Sequence, residues 1–208
     1  QAALVATHFC SWGHARLGLA LLVQCELGLR SCELFALRRE SLSLPGSVGG
    51  PQNQRHVLLG LGAKAGTKVK RAQYALLRET SQPILHLLLR AALATQSGPL
   101  FPYTHAAYSL WLKAAEAAIG VRAGWTPHSA RAGFATDKIT IGWGFAAVKE
   151  AGRWISDTSL RTYIDLVTSA SIADKWRLSG LEPAARAAEL HLLAYFPRGC
   201  FGPQDGAQ

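Results

Sequence analysis

The sequence predicts an α+β fold, mostly helical: a helical bundle with one small antiparallel sheet against it. Three observations predict this. Apolar residues recur at helical spacing through the first forty residues and in most of the chain after residue 81. Between them, residues 41–77 hold short β-type runs separated by turn residues. The chain of 208 residues is 49% hydrophobic and only 17% charged, so it can bury a sizeable core and is not disordered by composition.

Taken in order, Leu17, Leu19, Leu21 and Leu22 with Cys25 and Leu29 give the N-terminal helices an apolar face. Gly28 interrupts them, and the helix resumes in "SCELFALRRE" with Ser31 as its expected cap. "ESLSLPG" is a short strand ended by Pro45, and "SVGGPQNQ" is a loop. "RHVLLGL" and "VKRAQYALL" are strand-like runs around "GAKAGTK", whose glycines suit a hairpin. Ser81 and Pro83 open the helix "ILHLLLRAALA", and "SGPLFP" breaks it. Thr104 caps "HAAYSLWLKAAEAAIG", where Tyr108, Leu112 and Ala115 share a face. "HSARAGFATDKIT" and "FAAVKEAG" are two more helices separated by "IGWG". Ser156 or Asp157 can cap a short helix carrying Tyr163. A last amphipathic stretch, 183–195, precedes a Gly- and Pro-rich tail expected to be floppy. No internal repeat is visible.

Lys and Arg outnumber Asp and Glu by 22 to 13, a net charge of +9 that favours a polyanionic partner, nucleic acid or an anionic membrane surface. The longest clean apolar run, 17–23, is too short for a membrane span, and no charged segment precedes a cleavage site. Cys10, Cys25, Cys32 and Cys200 form no Cys-x-x-Cys, and Cys25 and Cys32 lie two helical turns apart, beyond disulfide reach. All four are expected to be reduced, mostly buried thiols of an intracellular protein. No His/Cys cluster has metal-ligand spacing. The chain begins with Gln and contains no Met, which reads as a piece of a longer protein.

Basic residues stand at element boundaries. Arg30 lies at a break between helices, and His128 and Arg131 are one turn apart, expected on one face. Lys64 and Lys68 flank the hairpin tip, where a flexible ammonium can reach into a cleft. "GRWISDTSLRTY" adds Trp154 and Tyr163. Alone, each has a bland reading: aromatics at helical spacing pack, and surface lysines are solvated. The ordered set carries the information.

That set, Arg30, Lys64, His128, Arg131, Trp154 and Tyr163, resembles the tyrosine recombinase (phage integrase) family. The matching pieces are "GLRSCELFAL", the strands around "AKAGTKVKR", "LFP", "TPHSARAGFAT" and "GRWISDTSLRTYI", spanning about residues 15–168. Trp154 follows Arg131 by 23 residues and Tyr163 follows Trp154 by nine, both typical of the family. The wording of the last motif is more like eukaryotic or mobile-element relatives than common bacterial enzymes, which usually carry His at the position of Trp154. Two departures stand out: Ala130 and Ala132 flank Arg131 where the family often reads His-x-Leu-Arg-His, and the family's N-terminal core-binding domain is absent from this chain. Lys64 is preferred to Lys68 because it precedes "AGTKVKR" much as the family lysine precedes its hairpin tip.

The resemblance implies a catalytic domain over 1–180, with a C-terminal helix and flexible tail over 181–208. It implies double-stranded DNA as partner, a homo-tetramer on that DNA, no membrane, and a location in the nucleus or the nucleoid and cytoplasm. It also implies roles. In-line attack on a phosphodiester builds negative charge on the nonbridging oxygens, which the planar forks of Arg30 and Arg131 match. Losing one such preorganised donor costs roughly 3–4 kcal/mol of transition-state stabilisation. Tyr163 is the implied nucleophile. A phenol holds its proton at neutral pH, so His128 would help remove it. Lys64 would protonate the leaving 5′ oxygen. Trp154 would offer an indole N–H while packing the tyrosine in place. The bond energy stays in the 3′-phosphotyrosyl adduct, so no metal or other cofactor is implied. A type IB topoisomerase shares this set, and a catalytically silent DNA-binding protein could keep the fold. The helix over 183–195 favours the recombinase, because family members often lend such a helix to a neighbour.

Overall fold

The computed structural model describes residues 1–44, 56–62, 73–164 and 166–202; the hairpin tip with Lys64 and Lys68 lies outside the described residues. Two antiparallel-packed N-terminal helices, α1 (Ala2–Ser11) and α2 (Ala15–Leu27), make the spine. The sequence expectation was one apolar face on α2, but its residues from Ala15 to Gln24 are all buried. A helix that is apolar nearly all round is stable only when neighbours cover every side, and α1, α4 (Ile84–Ala94), α6 (Ser129–Thr140) and the sheet do so. Leu17, Leu19 and Val23 are fully buried, each contributing about 1.5–3 kcal/mol relative to exposure.

The sheet is three antiparallel strands in the order β1 (Leu42–Ser43), β2 (Val57–Gly62) and β3 (Gln73–Leu77). Leu42 pairs with Leu59 and Val57 with Leu77, so one face of alternating apolar side chains meets the core. Between β1 and α2 runs α3 (Ser31–Ala36). Its cap differs from expectation: Arg30, not Ser31, takes the N-cap position, and the Glu33 side chain reaches back to the Arg30 N–H at 2.8 Å.

On the other side of α1 and α2, α5 (His105–Ile119) buries Tyr108, Leu112 and Ala115 as its spacing predicts, and Thr104 Oγ1 accepts the Ala107 N–H at 3.1 Å. A third, smaller cluster joins Phe134 and Ala135 of α6, Val148 of α7 (Phe145–Ala151), Trp154, and Leu160 of α8 (Asp157–Arg161). Ser156 is the cap of α8, accepting the Ser159 N–H at 3.1 Å. Tyr163 falls just beyond this helix, in the turn that closes it, rather than on it.

Three features near the C-terminus depart from the sequence reading. A helix unassigned there, α9 (Leu166–Leu178), precedes α10 (Glu182–Leu190); its apolar residues show little periodicity, and Trp176 is its deeply buried anchor. And α10 packs against α1 of its own chain rather than standing free for a neighbour. The segment after it is held, not floppy, through residue 202. Phe196 and Phe201 lie in the main core, Arg90 donates to the carbonyls of Phe196 (2.9 Å) and Pro197 (2.5 Å), and Arg16 donates to that of Phe201 (2.5 Å). All four cysteines are free thiols; Cys32 is exposed, since it points outward from the first turn of α3. Among the described residues, no helix is long and apolar enough to cross a membrane.

Candidate active site

The site begins with a glycine. Gly28 ends α2 in the left-handed region, φ +57, and a Cβ there would come within 2.6 Å of the Phe134 ring. The bare backbone lets α6 close against the break that precedes Arg30. It also presents the Gly28 carbonyl to Arg131, which sits on α6 three residues before Phe134. Gly152 plays the matching part on the far side. A Cβ there would collide with the Trp154 ring at 1.6 Å, and its carbonyl accepts from Arg131 Nη2 at 2.7 Å.

Arg131 is therefore clamped between two backbone carbonyls, Nη1 on Gly28 and Nη2 on Gly152, and is only 1% exposed. Its guanidinium carbon lies 4.1 Å from the centre of the Trp154 ring and 5.8 Å from that of Tyr163. Trp154 in turn stacks on Phe134 at 6.3 Å and meets Tyr163 at 5.5 Å. Three of the six sequence-predicted residues thus form one contact group.

Arg30 joins it through a carboxylate that the sequence reading overlooked. Glu33 is 8% exposed and accepts from the Arg30 N–H, from Arg30 Nη1 at 2.6 Å and from Arg153 Nη2 at 3.2 Å. Burial pushes the Glu33 carboxyl up, but the charge of Arg153 and the N–H and charge of Arg30 outweigh it and hold the group below the usual carboxylate range. Arg153 was overlooked too. Its Nη1 donates to Ala151 O at 3.0 Å and more weakly to Leu27 O at 3.4 Å, and its Nη2 reaches Gly28 O at 3.3 Å. Burial first, then the charges of Arg30 and Arg153, bring Arg131 down to about 10.

His128 stands apart from this group. It is the N-cap residue of α6 and exposed, whereas Arg131, one turn on, is buried. Its backbone is already in the right-handed helical region, φ −88, and its carbonyl accepts the Ala132 N–H at 3.0 Å, while in the turn before it the Thr126 N–H donates to Ser129 Oγ at 2.9 Å. The His128 ring instead lies 6.1 Å from that of His105, at the start of α5. Behind both entry loops sits fully buried Gln24, whose Nε2 donates to Leu29 O (3.1 Å) and Pro127 O (2.9 Å) while its Oε1 accepts the Tyr108 hydroxyl (2.9 Å).

Four buried side-chain N–H groups lack a partner among the described residues: Arg131 Nε, Arg153 Nε, Trp154 Nε1 and Trp176 Nε1. Buried donors are almost always satisfied, yet three of these four belong to this one group. Three guanidinium groups face a single carboxylate here, leaving an excess of positive charge. An arrangement of buried, unpaired donors and surplus cations suits an anion with several acceptor oxygens.

No protein-family model and no curated protein matches the chain in sequence. Solved structures match it in fold. The XerH site-specific recombinase bound to difH substrate, a pre-cleavage complex, aligns with a TM-score of 0.58 and 17% identity over 82% of this chain and 50% of that one. The post-cleavage complex of XerH with palindromic difH substrate aligns with a TM-score of 0.57 and 17% identity, over 78% of this chain and 47% of that one. The chain spans about half the length of those recombinases. The mostly helical fold with its three-stranded antiparallel sheet is the tyrosine recombinase catalytic-domain fold that the sequence resemblance implied.

Proposed function

We propose that this chain breaks and rejoins double-stranded DNA through a 3′-phosphotyrosyl intermediate. The observation that carries the proposal is the group of three buried donors without a partner among the described residues, Arg131 Nε, Arg153 Nε and Trp154 Nε1, with Arg131 and Trp154 against the Tyr163 ring. A phosphodiester supplies the anionic oxygens such donors lack.

In this reading the Tyr163 hydroxyl oxygen attacks the phosphorus, the P–O5′ bond breaks, and the phosphate is left joined to tyrosine on its 3′ side. The phenolic proton passes to His128 or to water. The 5′ oxygen leaves as a hydroxyl, taking its proton from Lys64. A 5′ hydroxyl attacking the phosphotyrosine reverses every step, so cleavage and rejoining use one set of groups. Arg30 and Arg131 hold the nonbridging oxygens from two sides, and Trp154 adds its indole N–H while fixing Arg131 by its ring face. Site-specific recombination by a homo-tetramer follows if the 5′ hydroxyl comes from another duplex. The packing of α10 on its own α1 favours a second reading, because it removes the sequence argument for a helix lent between subunits. In that reading a monomer relaxes supercoiled DNA by the same chemistry.

The test is incubation with nicked suicide duplexes, from which the short downstream fragment bearing the new 5′ hydroxyl diffuses away, followed by denaturing electrophoresis. A covalent protein–DNA band that disappears in Tyr163→Phe supports the proposal. A band that persists in that variant moves the nucleophile elsewhere, with the exposed Tyr195 next in line. Plasmid relaxation without strand exchange would favour the monomeric reading.

A further inference from the structure

Resting on that reading, we propose that Arg153 is a positioning residue: it engages Glu33 and so leaves the Arg30 guanidinium set, and electrically free, to receive a phosphate. Three observations point this way. Arg153 is the one non-glycine residue with a positive φ among those described, +59. Such a conformation persists only where its surroundings over-determine it, and it clusters at functional sites. Glycine would take this φ at no steric cost, so what arginine supplies here is its side chain.

That side chain crosses from the turn before Trp154 to the opposite wall of the site. It bonds the carbonyls of Leu27 and Gly28 at the end of α2 and the carboxylate of Glu33 in α3. Arg153 and Glu33 form a buried pair, each side chain only 9% exposed, whereas the Arg30 side chain is 36% exposed.

The charges then decide the roles. Glu33 is one acid between two cations. Arg30 alone would be its full counter-ion, locked onto it with little left for a ligand. With Arg153 present, the buried carboxylate is neutralised from behind. Its two bonds to Arg30, one to the backbone N–H and one to Nη1, then act as a mount rather than a sink. Arg153 also fixes the Ala151–Trp154 turn to the same carbonyl, Gly28 O, that holds Arg131. One side chain thereby ties together the backbone positions of Arg30, Arg131 and Trp154.

The experiment compares the wild-type chain with Arg153→Gly and Arg153→Lys. Glycine keeps the φ and removes the fork; lysine keeps the charge without the fork. Two readouts are used: the adduct rate at saturating suicide duplex, alongside duplex affinity, and the ¹⁵N–¹H signal of Arg30 Nε in the DNA-free protein, assigned with Arg30→Lys. The adduct rate should fall about tenfold to a hundredfold in both variants, as a misplaced reacting group would cause, while affinity changes by less than about threefold on the same argument. Added methylguanidinium should restore part of the rate to Arg153→Gly and none to Arg30→Ala. The Arg30 signal should shift in both variants. A wild-type rate in Arg153→Gly, or full activity in Arg153→Lys, overturns the inference. If wild-type protein forms no adduct on any duplex, the cleavage reading fails; the Arg30 signal then decides alone, and an unmoved signal in both variants overturns the role of Arg153. Should Arg153→Gly lose its cooperative melt, Arg153→Lys answers both readouts.

Discussion

Arg16 and Arg131 are both buried, and they are buried for different ends. Arg16, in α2, donates to Thr95 Oγ1 at 2.9 Å, to Leu100 O at 3.0 Å and to Phe201 O, and none of its buried N–H groups lacks a partner. Burial is the leading cause of its lowered pKa, and no neighbouring cation adds to that shift. It staples the loop after α4 and the C-terminal segment onto the spine. Arg131 is buried more deeply, is also held by two carbonyls, and yet keeps an unpaired Nε beside two further guanidinium groups. The first arginine is saturated and the second is not. The difference teaches that burial and hydrogen bonding do not separate a structural charge from a functional one; unspent donors and surplus like charge do.

The contrast breaks most sharply at the clamp. Gly152→Ala places a Cβ inside the Trp154 ring, so the turn must open and release Arg131. We expect a loss on the order of 3 kcal/mol in urea unfolding, at the upper end of overpacking costs, together with loss of the adduct.

Removing each arginine in turn comes next. Arg16→Met strands three acceptors at about 1 kcal/mol each, so about 3 kcal/mol of stability should go. Arg131→Met strands two carbonyls but also removes a buried, crowded charge, and the net loss should be about 1 kcal/mol. Activity should run the other way: a fall of about 10²–10³ in adduct rate for Arg131→Met, and little change for Arg16→Met in the fraction that stays folded. Equal stability losses in the two variants would erase the distinction.

The smallest effect is on pH dependence. The folded-state pKa of Arg131 lies at about 10, below its ordinary 12.5. The charged form is therefore penalised by folding, and that penalty is complete at pH below about 10 and is relieved as pH rises beyond it. Stabilisation by sodium sulfate, read as a rise in melting temperature, should be constant from neutral pH and decline above that point. A decline already complete two units lower would assign the anion to a different group.

Much of this was legible beforehand because it rests on local rules. The buried stripe of α5, the Thr104 and Ser156 caps and the antiparallel pairing of β2 with β3 follow from spacing and side-chain chemistry. The grouping of Arg131, Trp154 and Tyr163 followed from resemblance, and the packed rings agree with it. Glu33 has a usable signal, an acid three residues after the N-cap position, but it is masked because Ser31, the more usual capping residue, stands one place after Arg30. Arg153 had none, since its left-handed backbone is imposed by tertiary packing. The place of α10 was also beyond sequence: an amphipathic helix declares that it needs a partner, not whose partner it will be.

The central claim is that the unpaired donors around Arg131 await an anion, and two indoles in the same molecule test it. Trp154 and Trp176 both bury an N–H with no partner among the described residues, one inside the site and one outside it. Their indole ¹⁵N–¹H signals, assigned with Trp154→Phe and Trp176→Phe, should be followed while sodium sulfate is titrated against sodium chloride at matched ionic strength. A saturable downfield shift of Trp154 with Trp176 unmoved is the predicted result. No shift in Trp154, or equal shifts in both, would contradict the account.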